Sequence, residues 1–337
     1  MQSLPPFTRQ VLSPLEELER VSFFRSPSLQ GSDVKKYSLK QVVTEILARA
    51  NTRNAEDRTP LRAFLPFYPP SSSSEEHKFR ASHYLMMAKD ALIRKIYNFA
   101  HEAYKEALRL DPNSDQALVG LGICANLQKQ DQIAESLFHR ALEKNLNNDS
   151  AYVELGHCAG KKNLINLAEN YFAKALEINK NNALAWAGLG HSAKYQGKIE
   201  DAKYYYRLSL NVDPSYPFAW VGLGQCAIFS QELQVAEWLL KIALQNDPNY
   251  VPAFLALGDL ALLQNNLLLA EKFYERTLLE EKENLQAYIG LGKCALRQNN
   301  YAKAEENFNK ALSLDPLNRE IYKELEKCRE AQSTSKS

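Results

Sequence analysis

The chain has no run of about 18 apolar residues, the length a membrane-crossing helix requires, so bilayer insertion is not expected. It also lacks an excess of either charge. Lys and Arg total 41 against 40 Asp and Glu, and a formal charge of +1 gives no general pull toward phosphate backbones or anionic lipid. Nucleic acid and membrane are therefore not expected partners. The opening residues, MQSLPPFTRQVLSPLEEL, contain no uninterrupted apolar h-region of a secretory signal, which points to the cytoplasm. Cysteine is sparse and odd in number, five in all, so reduced thiols are a simpler expectation than a disulfide framework. The signatures G-x-x-x-x-G-K, H-E-x-x-H, G-x-S-x-G and paired Cys-x-x-Cys do not occur, so neither an enzyme nor a cofactor is expected.

What is present is a period. ALVGLGICA at 117, AYVELGHCA at 151, AWAGLGHSA at 185, AWVGLGQCA at 219, AFLALGDLA at 253 and AYIGLGKCA at 287 follow one another at intervals of 34 residues. The register extends back to HYLMMAKDA at 83 and forward to IYKELEKCR at 321. Seven full units thus run from Ala81 to Asn318 without insertion, and a half unit follows. Numbered within each unit, the fourth residue is Tyr84, Leu118, Tyr152, Trp186, Trp220, Phe254 and Tyr288. A Leu-Gly pair follows in every unit but the first, which has Met87 and Ala88. The twentieth residue is alanine throughout, from Ala100 to Ala304, and four residues later comes an aromatic or leucine such as Phe138, Tyr206 or Leu240.

Apolar residues at three- and four-residue steps specify amphipathic helices. Gly and Ala at fixed places let two antiparallel helices approach, with the aromatics filling the space between them. No single helix pair can bury its apolar face, so neighbouring pairs must stack.

This pattern resembles the tetratricopeptide repeat (TPR), a 34-residue helix-turn-helix unit with a W-x2-L-G-x2-Y...A-x3-F...P pattern. The resemblance implies an all-α, right-handed superhelical solenoid of antiparallel helix pairs over residues 81–318. Residues 319–332, REIYKELEKCREAQ, read as a capping helix with one solvated face, and 333–337 as a disordered tail.

All five cysteines, Cys124, Cys158, Cys226, Cys294 and Cys328, fall on the tenth position of their units. Packed helices lie roughly 8–10 Å apart, and a disulfide needs Cα atoms within about 7 Å. Small buried thiols are therefore expected. His157 and His191 share the ninth position of adjacent units, but no third or fourth ligand stands near them with zinc-like spacing, so no metal site is expected.

The resemblance further implies that the first helix of each pair lines a concave groove through its second, fifth, ninth, twelfth and thirteenth residues, which share one helical face. The partner-binding residues expected on that basis are Phe218 at the second position and Val153, Val221 and Leu255 at the fifth. The ninth supplies His157, His191, Gln225, Asp259 and Lys293; the twelfth Leu262; the thirteenth Tyr195, Phe229 and Leu263. An apolar strip flanked by mixed charge suits an extended peptide or an amphipathic helix. The alternative for the fifth position is packing between adjacent first helices. Tyr204 and Trp238, both at position twenty-two, are expected to pack between second helices rather than form an outer patch. The carboxylate clamp that grips chaperone tails finds no match at the ninth position, and the asparagine ladder of the sugar-transferring nuclear enzyme none at the sixth, where Gly120, Glu154, Gly188, Gly222, Ala256 and Gly290 stand.

Residues 1–80 carry no repeat and hold 12 basic against 9 acidic residues, too small an excess for a nucleic-acid arm. SPLE at 13 and SLKQVVTEILARA at 38 read as short helices with capping signals, and FLPFYPPSSSSEEHK at 64–78 as a Pro and Ser linker. This extension is expected to cap the array, to recruit a second partner, or to occupy the groove. The function expected is a non-catalytic scaffold or adaptor for a protein partner, with oligomeric state open. The alternatives are a chaperone shielding an apolar segment of a secreted or assembling client and, behind it, a regulatory subunit of an enzyme complex.

Overall fold

The structure is a computed structural model and describes residues 74–334. Fifteen helices, and no strand, occupy the described residues. They are α1 (Ser74–Ile93), α2 (Tyr97–Leu110), α3 (Asp115–Leu127), α4 (Asp131–Lys144), α5 (Asp149–Lys161), α6 (Ile165–Ile178), α7 (Ala183–Tyr195) and α8 (Ile199–Val212). There follow α9 (Pro217–Phe229), α10 (Leu233–Asn246), α11 (Val251–Leu263), α12 (Leu267–Glu280), α13 (Leu285–Arg297), α14 (Tyr301–Leu314) and α15 (Arg319–Thr334). The expected helix pairs are all present as an all-α repeat fold. The expected linker at 64–78 is corrected at its end, because Ser74 through Lys78 are already helical. The sequence features at 13 and 38 lie outside the described residues.

The chain divides into two compact units, one through Glu154 and one from Leu155 onward. In the first, Phe99 and Tyr104 of α2 pack with Met87 and Ala88 of α1 and Leu121 and Cys124 of α3. Met87 and Ala88, which replace the usual Leu-Gly pair, are fully buried, so that departure leaves the packing intact. Ser114 caps α3 by accepting from the Ala117 amide at 3.2 Å, and the loop after α4 is tied down where Asn145 and Asn148 donate to Asp115 at 2.6 and 2.9 Å.

The second unit repeats one arrangement. The residue at position twenty-four of each second helix, a ring in all but Leu240, lies over backbone left bare by glycine. Tyr206 of α8 covers Gly190 of α7, where an added Cβ would stand 2.9 Å from the ring, and covers Gly222 of α9 more closely still. Tyr274 is placed in the same way between Gly258 and Gly290. Both tyrosines are fully buried, and burying such a ring contributes about 1.5–3 kcal/mol. Between each first and second helix the chain reverses through one left-handed residue: Lys95, Lys129, Asn163, Gly197, Gln231, Asn265 and Asn299, with φ from 57° to 75°. The next amide then bonds back to an alanine carbonyl five residues earlier, as Glu232 to Ala227 at 2.9 Å, which closes the helix end. In α15, Ile321, Leu325 and Cys328 are buried against Phe308 and Tyr322 is exposed. The five cysteines are free and buried. Burial pushes the Cys124 and Cys294 thiols up to about 11, which keeps them protonated and unreactive.

Candidate functional site

Within the second unit, first helices of consecutive repeats pack directly on one another, α7 on α9, α9 on α11 and α11 on α13, whereas contact among second helices is slighter. A layer whose first helices are closer than its second helices presents the first helices on its inner side. That geometry decides which residues at the five expected positions reach solvent.

The fifth position does not. Val153, in the first unit, is 2% exposed, Val221 is 4% exposed and Ile289 5%. This corrects the expected stripe: within the second unit, where first helices pack on one another, Val221 and Ile289 are consumed by the seam. Leu255 remains half-buried. Leu262, at the twelfth position, is also buried, in the cluster that holds Tyr274 and Leu291. Burial removes Val153, Val221 and Leu262 from the surface a partner can touch.

The thirteenth position carries the accessible apolar area. Tyr195 is 63% exposed, Phe229 69% and Leu263 49%. They end α7, α9 and α11, one on each, and so form a row across the unit. Lys161 precedes the row at the same position and Arg297 follows it. Arg297 is fixed by donating to the Leu262 carbonyl at 2.6 Å. Phe218 lies behind the row, half-buried, its ring 5.8 Å from that of His191.

The ninth position forms a polar strip held by bonds between neighbouring elements. Lys194 donates to Gln225 on the next first helix. Tyr274 donates its hydroxyl to Asp259 at 2.8 Å, and Lys293 donates to Glu320 at 3.1 Å. These bonds orient the strip before any partner arrives, which lowers the ordering cost of binding. His157 meets the edge of Phe172 at 5.4 Å, and His191 packs on Tyr195 at 4.9 Å. Desolvation, then the charge of Lys194 and then that of His157, pushes His191 down to about 4. Desolvation also lowers Lys194 and raises Asp259. The Asp259 side chain still touches water, so its shift reflects crowding by protein around the carboxylate rather than full enclosure. No group of three or more metal-ligating side chains occurs among the described residues.

Tyr204 and Trp238 also differ from expectation. They are 59% and 60% exposed, because splayed second helices leave position twenty-two uncovered. The Asp259–Tyr274 bond and the left-handed turn residue were not read from the sequence. The tyrosine at position twenty-four was the available signal for the bond, whereas the fifteenth position varies among Lys, Asn, Gly and Gln and signals the turn only by its fixed place in the repeat.

Tetratricopeptide repeat profiles match residues 86–145, 149–182, 183–216 and 285–318. No curated protein matches the chain in sequence. Among solved structures it resembles a chain of the APC/C hetero-tetramer Cut9–Hcn1, with a TM-score of 0.62 at 13% identity, over 86% of this chain and 63% of that one. The chain thus spans under two thirds of that relative. It also resembles a tetratricopeptide repeat protein from Parabacteroides merdae (TM-score 0.54, 18% identity, 74% of this chain and 99% of that one). A third likeness is to PilW, a type IV pilus biogenesis factor (0.51, 19%, 62% and 97%). At these identities the likeness is one of fold. The phased repeat, the helix pairs and the matching profiles together make the chain a tetratricopeptide repeat protein.

Proposed function

We propose that this protein is a non-catalytic scaffold that holds an extended peptide or a helix of a protein partner across the first helices of its second unit. The observation that carries this reading is the row of Tyr195, Phe229 and Leu263, each about half exposed or more, beside a polar strip already ordered by hydrogen bonds. An apolar row with polar edges is the arrangement in which a few aromatic anchors supply most of the binding energy. That Cut9–Hcn1 is a hetero-tetramer supports a place for such a chain in an assembly.

The test is a pull-down from native cell extract with the Tyr195→Glu/Phe229→Glu double variant beside wild type, after circular dichroism shows equal helix content. Both side chains are exposed, so the variant keeps its core, which Leu262→Glu would not. A prey lost with the variant supports the reading and names the pathway. An unchanged prey set refutes it and turns attention to residues 1–73.

A further inference from the structure

The other side of the second unit holds a cleft that the groove reading leaves unused. It encloses about 390 Å³ between α8 and α10, where the second helices part and the first helix α9 forms the floor. Leu210, Leu223, Ala227 and Leu239 line its depth, and Trp220 and Trp238 stand at its walls. The volume is that of an ordinary small-ligand or side-chain pocket.

Three observations separate this cleft from a packing fault. First, the position-four rings of the next two repeats are covered by cations of their own second helices, Phe254 by Arg276 at 5.5 Å and Tyr288 by Lys310 at 5.9 Å. At Trp220 the equivalent residue of α10 is Ile242, so no such cation closes the space. Second, Trp186 and Trp220 donate their indole N–H to Lys180 and Pro214 carbonyls at 2.9 and 2.8 Å. Trp238 has no hydrogen-bond partner among the described residues and is 60% exposed. Third, the charge at the rim is uneven. Lys203 is engaged by Glu200 and Glu232 at 3.0 and 3.4 Å. Arg207, one turn along α8, faces the same cleft without a carboxylate partner among the described residues.

We infer that this cleft is a second docking site for an acidic peptide of a partner protein, taking one bulky apolar side chain on its floor and an adjacent carboxylate on Arg207. The apolar side chain leaves water for the leucine-lined floor and the Trp238 ring, and the guanidinium pairs with the carboxylate in a two-point, charge-assisted contact. The unpaired positive charge selects acid over base at that step, and the free indole N–H meets a backbone carbonyl of the peptide. A partner held on the first helices leaves this face open, so one chain can join two segments at once.

The experiment is selection of a phage-displayed random dodecapeptide library on the immobilised full chain, with subtraction against the Trp238→Ala/Arg207→Gln variant. Both positions are exposed, and circular dichroism checks that the variant is folded. The expected result is enrichment of peptides with Phe, Trp, Leu or Ile within two residues of Asp or Glu. A synthetic representative should bind roughly tenfold more weakly to Arg207→Gln, the loss of one charge-assisted contact, and bind Tyr195→Glu/Phe229→Glu as it binds wild type. The inference is overturned by no enrichment over the subtracted variant, by enriched peptides without an acidic residue, or by peptides that lose binding only with the Tyr195 and Phe229 substitutions. This last result would move the peptides to the first-helix face, and the pull-down above tests that face independently.

Discussion

Gly222→Ala is the sharpest probe of what spaces the repeats. On helix propensity alone the change should stabilise, since alanine is about 1 kcal/mol better than glycine inside a helix. Geometry opposes it: the new Cβ would stand well under 3.0 Å from the ring of Tyr206, which is fully buried and clamped from the other side by Gly190. Overpacking of that kind costs about 1–3 kcal/mol, so the net effect is a loss on the order of 1 kcal/mol. The sequence contains its own control. Where the position-twenty-four residue is Leu240 instead of a ring, the residue facing it in the next repeat is Ala256 instead of glycine, and both are buried in one cluster. In a Tyr206→Leu background, Gly222→Ala should therefore cost nothing or stabilise, giving a coupling energy of about 1–3 kcal/mol in a double-mutant cycle. Gly160→Ala, with nothing within 4 Å of the added Cβ, should raise stability. Urea unfolding followed by circular dichroism reads all of these variants, with the slope checked because repeat arrays can unfold in parts. A Gly222→Ala protein as stable as wild type, or equal losses in both backgrounds, would refute the idea that the ring dictates the glycine.

Other outcomes follow from single sites. At the left-handed turns, Gly197→Ala should cost about 1 kcal/mol and Gln231→Gly should gain a few tenths or more, since φ of 75° and 61° disfavours any side chain; thermal midpoints with opposite signs check the pair. Tyr206 buries its hydroxyl without a hydrogen-bond partner among the described residues, so Tyr206→Phe should be neutral or stabilise by about 1 kcal/mol, whereas Tyr274→Phe, which breaks the bond to Asp259, should cost about 1 kcal/mol. Folding holds His191 down at about 4, against 6.5 unfolded. The unfolded chain therefore takes up a proton that the folded one refuses, and stability falls as pH drops from about 6.5 toward 4, by at most about 3 kcal/mol. His191→Gln should flatten the decline in thermal midpoint between pH 7 and 5, and an unchanged slope would assign that decline to other groups.

The fold was legible because its determinants are local and repeat. The Leu-Gly pairs, the alanine at position twenty and the aromatic at twenty-four recur at a fixed spacing, and helix pairing follows from them without long-range information. The candidate site was legible only in part, because a groove is defined by the angle between neighbouring helices, which no single helix encodes. Val153, Val221 and Tyr195 all lie on the face predicted to line it, yet the first two are buried and Tyr195 is open. The difference lies in how far each stands from the line of contact between first helices. Tyr204 and Trp238 failed for the complementary reason: their exposure follows from the parting of second helices, a consequence of the same tilt. At Gly188, Gly222 and Gly290 the glycine at position six lets a ring of the preceding second helix sit flush against the next first helix, and Ala256 faces Leu240 in the same place. In these repeats the small residue at position six thus keeps the preceding second helix close to the first-helix layer, whose packing decides which side chains a partner can reach on the inner face.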